Sequence, residues 1–403
     1  MRILALVDRD LFPPASGETI PNAAHLRALA ELGELEVGCI GFHPSRLGAW
    51  PSGASWFPLS AQRRGRLQQA NAMIRGELPS LSPANPLELC ERMQGRQFDL
   101  VYVSQLRLLD WGRAAKRCLE NAPMILNLCD SPSAVHQRLA QLAGIRGFDW
   151  SFRGRCLIRG LLRGAAKQWE QSALELFDLL LVQSDNDRSS AMAAAPQRGD
   201  RLLVAPNGFS VGEPREATTA ARKQERLFHM GPLGGERLQL ILWFIQNVLR
   251  PLQSLRPAAT LELAGQVSPR DQRRLERHHG VRCHGFVEDA AAMMSEATVS
   301  VAPMMMKFGI INKVIDSMAA GLPVTGLGAF NGIRGFRSQV HGVEVHSANE
   351  WVATLDQLLG DPKRLQSLAT AGQTLAATLT WDRTRDLLKQ AATSMVHGQR
   401  QAA

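Results

Sequence analysis

Short runs of apolar residues alternate with helix-like segments along the whole chain. The first run is Arg2–Val7, followed by a Pro/Gly loop, Phe12-Pro13-Pro14-Ala15-Ser16-Gly17. A helix then carries Ala24, Leu26, Ala28, Leu29 and Leu32. Leu35–Ile40, Leu100–Ser104, Met124–Cys129, Leu179–Gln183 and Leu202–Ala205 read as further strands. Continuous apolar runs of this length, separated by helices, predict parallel sheets covered on both faces. Residues 60–95 are polar and weakly periodic, and read as helix or loop.

Pro206-Asn207-Gly208 closes the first series, and residues 212–224 read as a linker. A second series follows: Arg226–Met230, Thr260–Ala264, Val281–His284, Val299–Ala302, Pro323–Thr325 and Val343–His346. The helices between them include Leu238–Leu255 and Ile310–Ala320. The expected fold class is α/β, with two Rossmann-like doubly wound domains facing a central cleft. The expected boundaries are 1–208, 209–380 and a C-terminal helix in 381–403. That helix, with Leu387, Leu388, Ala391 and Met395 at helical spacing, either caps the second domain or crosses back to the first. Ligands of doubly wound sheets bind at the carboxyl ends of the strands, so the cleft is the expected site.

Composition narrows the partners. Hydrophobic residues make up 45% and charged residues 21%, as in ordinary globular chains. No apolar run approaches the roughly 18 residues a transmembrane helix needs, and Ile3–Val7 is too short for a signal-peptide core. The six cysteines form no C-x-x-C pair, so neither a zinc ribbon nor a disulfide framework is expected. These features predict a cytoplasmic, reduced, soluble enzyme or binding protein. The net charge is +9, and 39 of the 46 basic residues are arginine. An Arg-biased genome accounts for this; so does an anionic partner, whether nucleotide, phospholipid surface or nucleic acid. With 6% aromatics, one tyrosine and no nucleic-acid-binding motif, nucleic acid is not an expected partner.

The window Val299–Thr325 is the richest in candidate chemistry. A strand runs into Pro303, then come three methionines, Lys307 and Phe308-Gly309, and a helix begins near Ile310. A glycine at a helix start allows close backbone approach, and the free N–H groups there suit an anion. Lys313 lies in the first turns with Asp316 three residues on. Helix starts favour acidic residues, so a lysine there fits an anion site. The alternative is an ordinary βαβ crossover with a solvated Lys313–Asp316 pair.

On these residues the chain resembles the retaining GT-B glycosyltransferases of family four. Within them it is most similar to the sugar transferases of bacterial exosortase and exopolysaccharide loci. The resembling pattern is Pro303, Gly309-Ile310, Asn312-Lys313-Val314-Ile315-Asp316-Ser317-Met318-Ala319, Gly321 and Pro323-Val324. Trp243-Phe244, Gly265 and Gly285-Phe286-Val287-Glu288-Asp289 extend it, as do Asp130-Ser131, Trp169-Glu170, Phe177–Ser184 and Pro206-Asn207-Gly208 in the first half. The resemblance implies transfer of a sugar from a nucleoside-diphosphate sugar, with retention, to a glycan or lipid-linked acceptor. It implies no essential metal and no cofactor. Gly309, Ile310 and Lys313 match the parts that stabilise the leaving pyrophosphate, and Lys307 and Asn312 are further candidate donor contacts. Asp316 matches the acid that binds the donor ribose. Phe286 and Val287 match the loop that holds the base, and Gly17 matches the glycine loop facing the donor.

Two departures stand out. Phe308 replaces the acid many members carry eight positions before the helix acid, and Lys307 is adjacent. The loop Met230–Arg237 lacks the usual Arg…Lys phosphate clamp, leaving Gly231 and Arg237 as its candidate donor contacts. These departures motivate a rival reading, a non-catalytic GT-B binding protein. A nucleotide-sugar epimerase on the same fold is a third.

Other candidates carry less. Asp8-Arg9-Asp10 has the D-x-D form of a metal site but also suits a surface turn or a loop facing the cleft. Ser184 with Asp187 fits a helix capping box. Asp130, after a strand, suits acceptor contact, acid/base help or an N-cap. Residues 138–167 hold seven basic groups and one acid, and an apolar stripe runs from Ile158 through Leu161, Leu162, Ala165, Trp169, Ala173 and Leu176 to Phe177. Such a stripe either faces a core or lies on an anionic membrane, so residues 138–177 are a candidate peripheral contact with the inner face of the membrane.

Overall fold

The structure is a computed structural model. It describes residues 1–12, 19–41, 50–62, 65, 68, 71, 81–85, 87–209, 225–305 and 310–402, with side chains to Gln399. The chain divides into two compact units. The first comprises Met1–Gln137, Gly160–Asn207 and Trp381–Ala403; the second comprises Arg138–Arg159 and Gly208–Thr380.

The first unit holds a seven-stranded sheet, all parallel, in the order β3-β2-β1-β4-β5-β6-β7. Its strands are β1 (Arg2–Val7), β2 (Glu34–Ile40), β3 (Ser55–Leu59), β4 (Leu100–Val103), β5 (Met124–Cys129), β6 (Leu179–Val182) and β7 (Leu202–Val204). β1, β4 and β6 are almost wholly buried, as their unbroken apolar runs require. β3 escapes the sequence pattern because Pro58 interrupts it. The strand lies at the sheet edge, where one of its two sides has no partner to need an N–H.

One face of this sheet is covered by the helices Leu109–Cys118 and Arg163–Leu176, through Trp111, Ala115, Ala173 and Leu174. The other is covered by Thr19–Ala30 and Trp381–Ala402, through Leu26, Leu29, Leu388 and Ala392. The C-terminal helix therefore packs on the first unit, and Lys389 pairs with Glu31 at 2.8 Å.

The second unit holds a six-stranded parallel sheet in the order β10-β9-β8-β11-β12-β13. These are β8 (Arg226–Met230), β9 (Thr260–Ala264), β10 (Val281–Gly285), β11 (Val299–Ala302), β12 (Val324–Leu327) and β13 (Val343–Val345). The helix predicted over Leu238–Leu255 runs as Gly235–Phe244, a π-turn at Ile245–Leu249 and Arg250–Leu255. The extra residue of the π-turn sits just before Pro251, which cannot donate the helical hydrogen bond.

The segment Arg138–Arg159 lies with the second unit, whereas the sequence reading assigns it to the first. Its anchors are visible: Trp243 donates its indole N–H to the Arg146 carbonyl at 3.0 Å, and Phe148 packs against Trp243. A helical apolar period shows which residues face inward, but not which sheet they face.

Candidate functional site

In both sheets the strand order reverses next to the opening strand, and such a switch point is where open α/β sheets bind ligands. In the second unit the reversal lies between β8 and β11. β8 ends at Met230 and runs into Gly231, whose φ is +136°. The Gly231 N–H donates to the Ala264 carbonyl at 2.8 Å, and the Gly265 N–H donates to the Gly285 carbonyl at 2.7 Å. Glycine is required at 265: with φ +146°, a Cβ there would lie 2.0 Å from the Gly231 oxygen. The ends of β8, β9 and β10 thus form a shelf of bare backbone.

The helix Asn312–Ala319 follows β11 and places Lys313 over this shelf. A Cβ on Gly231 would lie 2.9 Å from the Lys313 Nζ, so the missing side chain is the space the amine occupies. Behind it stands His229, a buried residue of β8. Its Nδ1 lies 2.8 Å from the Val301 carbonyl, which can only accept, so Nδ1 carries the proton. The bare Nε2 then faces the Lys313 Nζ at 3.3 Å and accepts from it.

Burial first, then the Lys313 charge, holds the His229 pKa well below its usual value, so the ring is neutral. Desolvation and the Arg237 guanidinium push the Lys313 amine down to about 7. A positive group held at such a cost, with no carboxylate within ion-pair distance among the described residues, suits an incoming anion.

The structure thus brings together Gly231, Arg237, Lys313 and, one turn along the helix, the buried Asp316. Arg237 is exposed in the first turn of the helix that begins at Gly235. Ile310 is buried just before the Lys313 helix and Asn312 is its first residue. That helix has no acidic residue in its first turn and no side-chain cap. At the end of β10, Gly285 adopts φ +66°, Phe286 is 69% exposed and Val287 packs against a small cluster around Phe228 and Met294. Gly17, Lys307, Phe308 and Gly309 lie outside the described residues.

Asp130 belongs to the first unit, in a turn after β5 where Cys129 takes φ +60°. The helix that follows is capped by Ser131, whose hydroxyl oxygen accepts from the Ala134 N–H at 3.3 Å. Two fully buried carboxylates brace the turn. Glu170 accepts from the Ser131 hydroxyl at 2.6 Å and the Ser133 N–H at 3.1 Å, and Asp187 accepts from the Ser131 N–H at 3.2 Å. Burial raises the Glu170 pKa, and the bonds from Ser131 and Ser133 oppose the shift. Ser184 caps its helix through the Asp187 N–H at 3.1 Å, as the capping box predicts.

Asp8 of the D-x-D pair is buried and ion-paired to Arg107 at 2.7 Å and Arg9 at 3.0 Å. Of the apolar stripe in 138–177, Ala173 and Phe177 belong to the core of the first unit, and Trp169 and Leu176 pack against it. Sequence reasoning missed His229, which sits inside an apolar run, Arg226-Leu227-Phe228-His229-Met230, and reads as strand filler. Its one signal is that polarity.

Residues 224–361 match the family described as "Glycosyl transferases group 1". No curated protein matches the sequence. Solved structures share the fold along nearly the whole chain. HepE of Anabaena in complex with UDP is 14% identical with a TM-score of 0.65, covering 98% of this chain and all of that one. Sucrose-phosphate synthase of Thermosynechococcus elongatus is 16% identical with a TM-score of 0.69, covering 99% and 100%. A TarM mutant of S. aureus, in complex with fondaparinux, alpha-GlcNAc-glycerol and UDP, is 8% identical with a TM-score of 0.66, covering 98% and 100%. The chain therefore has two Rossmann-like parallel-sheet units, the fold of the GT-B glycosyltransferases.

Proposed function

We propose that the chain is a glycosyltransferase. It moves a sugar from a nucleoside-diphosphate sugar, with retention at the anomeric carbon, to a glycan or lipid-linked acceptor at the cytoplasmic face of the membrane. The observation that carries this reading is the Lys313 amine held over the bare backbone of Gly231 at the switch point. As the glycosidic bond breaks, negative charge grows on the departing pyrophosphate. A fixed cation and the positive end of a helix dipole stabilise that charge without reorganising.

Arg237 adds a second positive group beside Lys313. Asp316 binds the donor ribose, and the exposed ring of Phe286 with Val287 supports the base. Lys313 supplies charge of the kind a divalent metal provides elsewhere, so turnover is expected to persist in EDTA. Asp130, in its braced turn, contacts the acceptor. UDP in the HepE and TarM complexes supports a nucleotide-sugar donor, and the resemblance to exopolysaccharide-associated transferases supports a cell-surface glycan as product.

The test is nucleoside-diphosphate release from UDP-, GDP-, ADP- and dTDP-sugars, with and without a membrane lipid extract. Release from one donor, faster with lipid, is the expected result. Silence with every donor, together with no donor binding by calorimetry, would overturn the transferase reading in favour of a non-catalytic binding protein.

A further inference from the structure

The helix Trp150–Leu161 has two unlike faces. Phe152 and Cys156 are buried, and the Phe152 ring packs 4.8 Å from Phe148. On the other side Trp150 is 83% exposed, Leu157 56% and Ile158 61%. Positions 150, 157 and 158 fall on one flank of a 3.6-residue helix. Three large apolar side chains in water on one flank are a patch that calls for a partner. Arg153 borders the flank on one side, its guanidinium 4.8 Å from the Trp150 ring, and Arg155 borders it on the other.

Arg155 also lines a groove of about 730 Å³. The rest of its wall is Arg270, Asp271, Arg273, Arg274 and Arg277, from the helix Pro269–Glu276 and its C-cap. Spacings of three, four and seven residues set the four arginines in one stripe, and like charges at such spacing repel. Asp271 is held by its own cap, accepting from the Ser268 hydroxyl at 2.8 Å. Asp149, near Arg155 and Arg274, accepts from the Ser151 hydroxyl and the Phe152 N–H, both at 2.7 Å. Among the described residues, none of the five groove arginines has a carboxylate within 4 Å.

We propose that these two helices form one docking face of the second unit for an anionic bilayer. The guanidinium groups of the groove bind lipid phosphates, and Trp150, Leu157 and Ile158 enter the headgroup layer. Both halves of the face are needed to choose the occupant. A soluble phosphate would use the arginines and leave the apolar flank without a role. A nucleic acid would use charge and stacking, but the Trp150 ring is already covered by Arg153. A bilayer with acidic headgroups uses both at once. The proposal deepens the reading of a membrane-facing acceptor by naming the surface that meets the lipid. It shares Ile158 with the stripe over 158–177, whose Ala173 and Phe177 lie in the core of the first unit with Trp169 and Leu176 packed against it.

The experiment is co-sedimentation of the full chain with vesicles of phosphatidylcholine alone, and of phosphatidylcholine mixed with phosphatidylglycerol, without donor or acceptor. Binding to the mixed vesicles only is expected. Arg270→Gln, Arg273→Gln, Arg274→Gln and Arg277→Gln together are expected to weaken it on the order of 10²–10³-fold, at about fivefold per arginine. Trp150→Ser with Ile158→Ser is expected to weaken it and make the remainder vanish at high salt. All these side chains are exposed, so unchanged melting temperatures serve as the folding control.

Equal binding to neutral vesicles, or unchanged binding by the four-arginine variant, would overturn the proposal. So would binding of glycerol 3-phosphate or an RNA oligomer in the groove without vesicle binding. Because no donor is present, failure here leaves the transfer reading intact, and failure of transfer leaves vesicle binding to be read by itself.

Discussion

The two sheets share a strand order but fill their switch points in opposite ways. In the first unit β1 runs into Asp8, a buried carboxylate clamped by Arg9 and by Arg107, which follows β4. The charge there is answered by the protein itself. In the second unit β8 runs into Gly231, which offers no side chain, and Lys313 from the helix after β11 takes the space. Among the described residues, the charged neighbour that shifts it is Arg237, another cation. Topology makes both places candidate sites; the balance of charge separates a closed structural corner from one that awaits an anion. The same contrast holds for His25 and His229, both buried. His25 faces the Tyr102 hydroxyl at 2.8 Å, and that hydroxyl donates to Asn22, which also accepts from Asn127. These bonds lie among buried residues, whereas the His229 chain ends on an amine at the strand ends.

Removing the amine is the most severe way to break the comparison. Lys313→Ala is expected to lower donor turnover about 10²–10³-fold, the range for losing one preorganised group that meets developing charge. Its melting temperature should hold or rise, because the folded state bears the desolvation of this group. Gly231→Ala is expected to act the same way, since its Cβ and its φ of +136° both conflict with the present amine position. Normal turnover in both variants would remove Lys313 from the site.

The first unit's corner is expected to respond in stability instead. Asp8→Ala removes the buried carboxylate but leaves its partners Arg107 and Arg9 in reach of solvent, and is expected to cost about 2 kcal/mol, the range for hydrogen bonds to charged groups. Urea titration reads this, and an m-value matching the parent protein would show that the loss is stability. Donor binding per folded molecule should not change. A binding defect at constant fold would mean that the first switch point is also a ligand site.

Acid sharpens the contrast between the histidines. Burial lowers the His25 pKa from 6.5 to about 4. Between those values the unfolded chain binds a proton that the folded chain refuses, so stability falls as pH drops through that window. At pH 5 the His25 share of the loss is about 2 kcal/mol relative to neutral pH. His25→Gln should flatten this part of the stability–pH curve. A slope unchanged by the substitution would exclude His25 as its source.

Much of this was readable in the residues, for physical reasons that also mark the limits. Unbroken apolar runs such as Ile3–Val7 and Leu179–Val182 fit strands buried on both faces, and their alternation with helical segments points to parallel sheets, so most of both sheets was legible. β3 was not, because an edge strand tolerates Pro58 and shows solvent one residue in two. The helix bearing Lys313 was legible from a lysine at a helix start. The role of His229 was not: a histidine in an apolar strand looks the same whether its ring meets a carbonyl or an amine. The docking of Arg138–Arg159 on the second unit was equally hidden, since the period of a helix does not name its partner.

The smallest expected effect tests the link between the two buried groups of the second site. The Lys313 pKa of about 7 lies below its ordinary 10.5, so the free protein loses the ammonium as pH rises through 7. On this basis kcat/KM is expected to fall on the alkaline side with a midpoint near 7, while kcat, which reports the donor complex, falls at higher pH because a bound pyrophosphate favours the charged amine. His229→Leu removes the acceptor that holds the Nζ and adds apolar surface beneath it. Both changes disfavour the ammonium, so the kcat/KM midpoint should move to lower pH, by less than about one unit for a single neutral hydrogen bond. His229→Gln can offer its carbonyl oxygen to the same Nζ and should return most of the shift. A midpoint that ignores both substitutions would show that Arg237 and burial alone set the lysine, and that His229 fills space behind it as His25 does in the first unit.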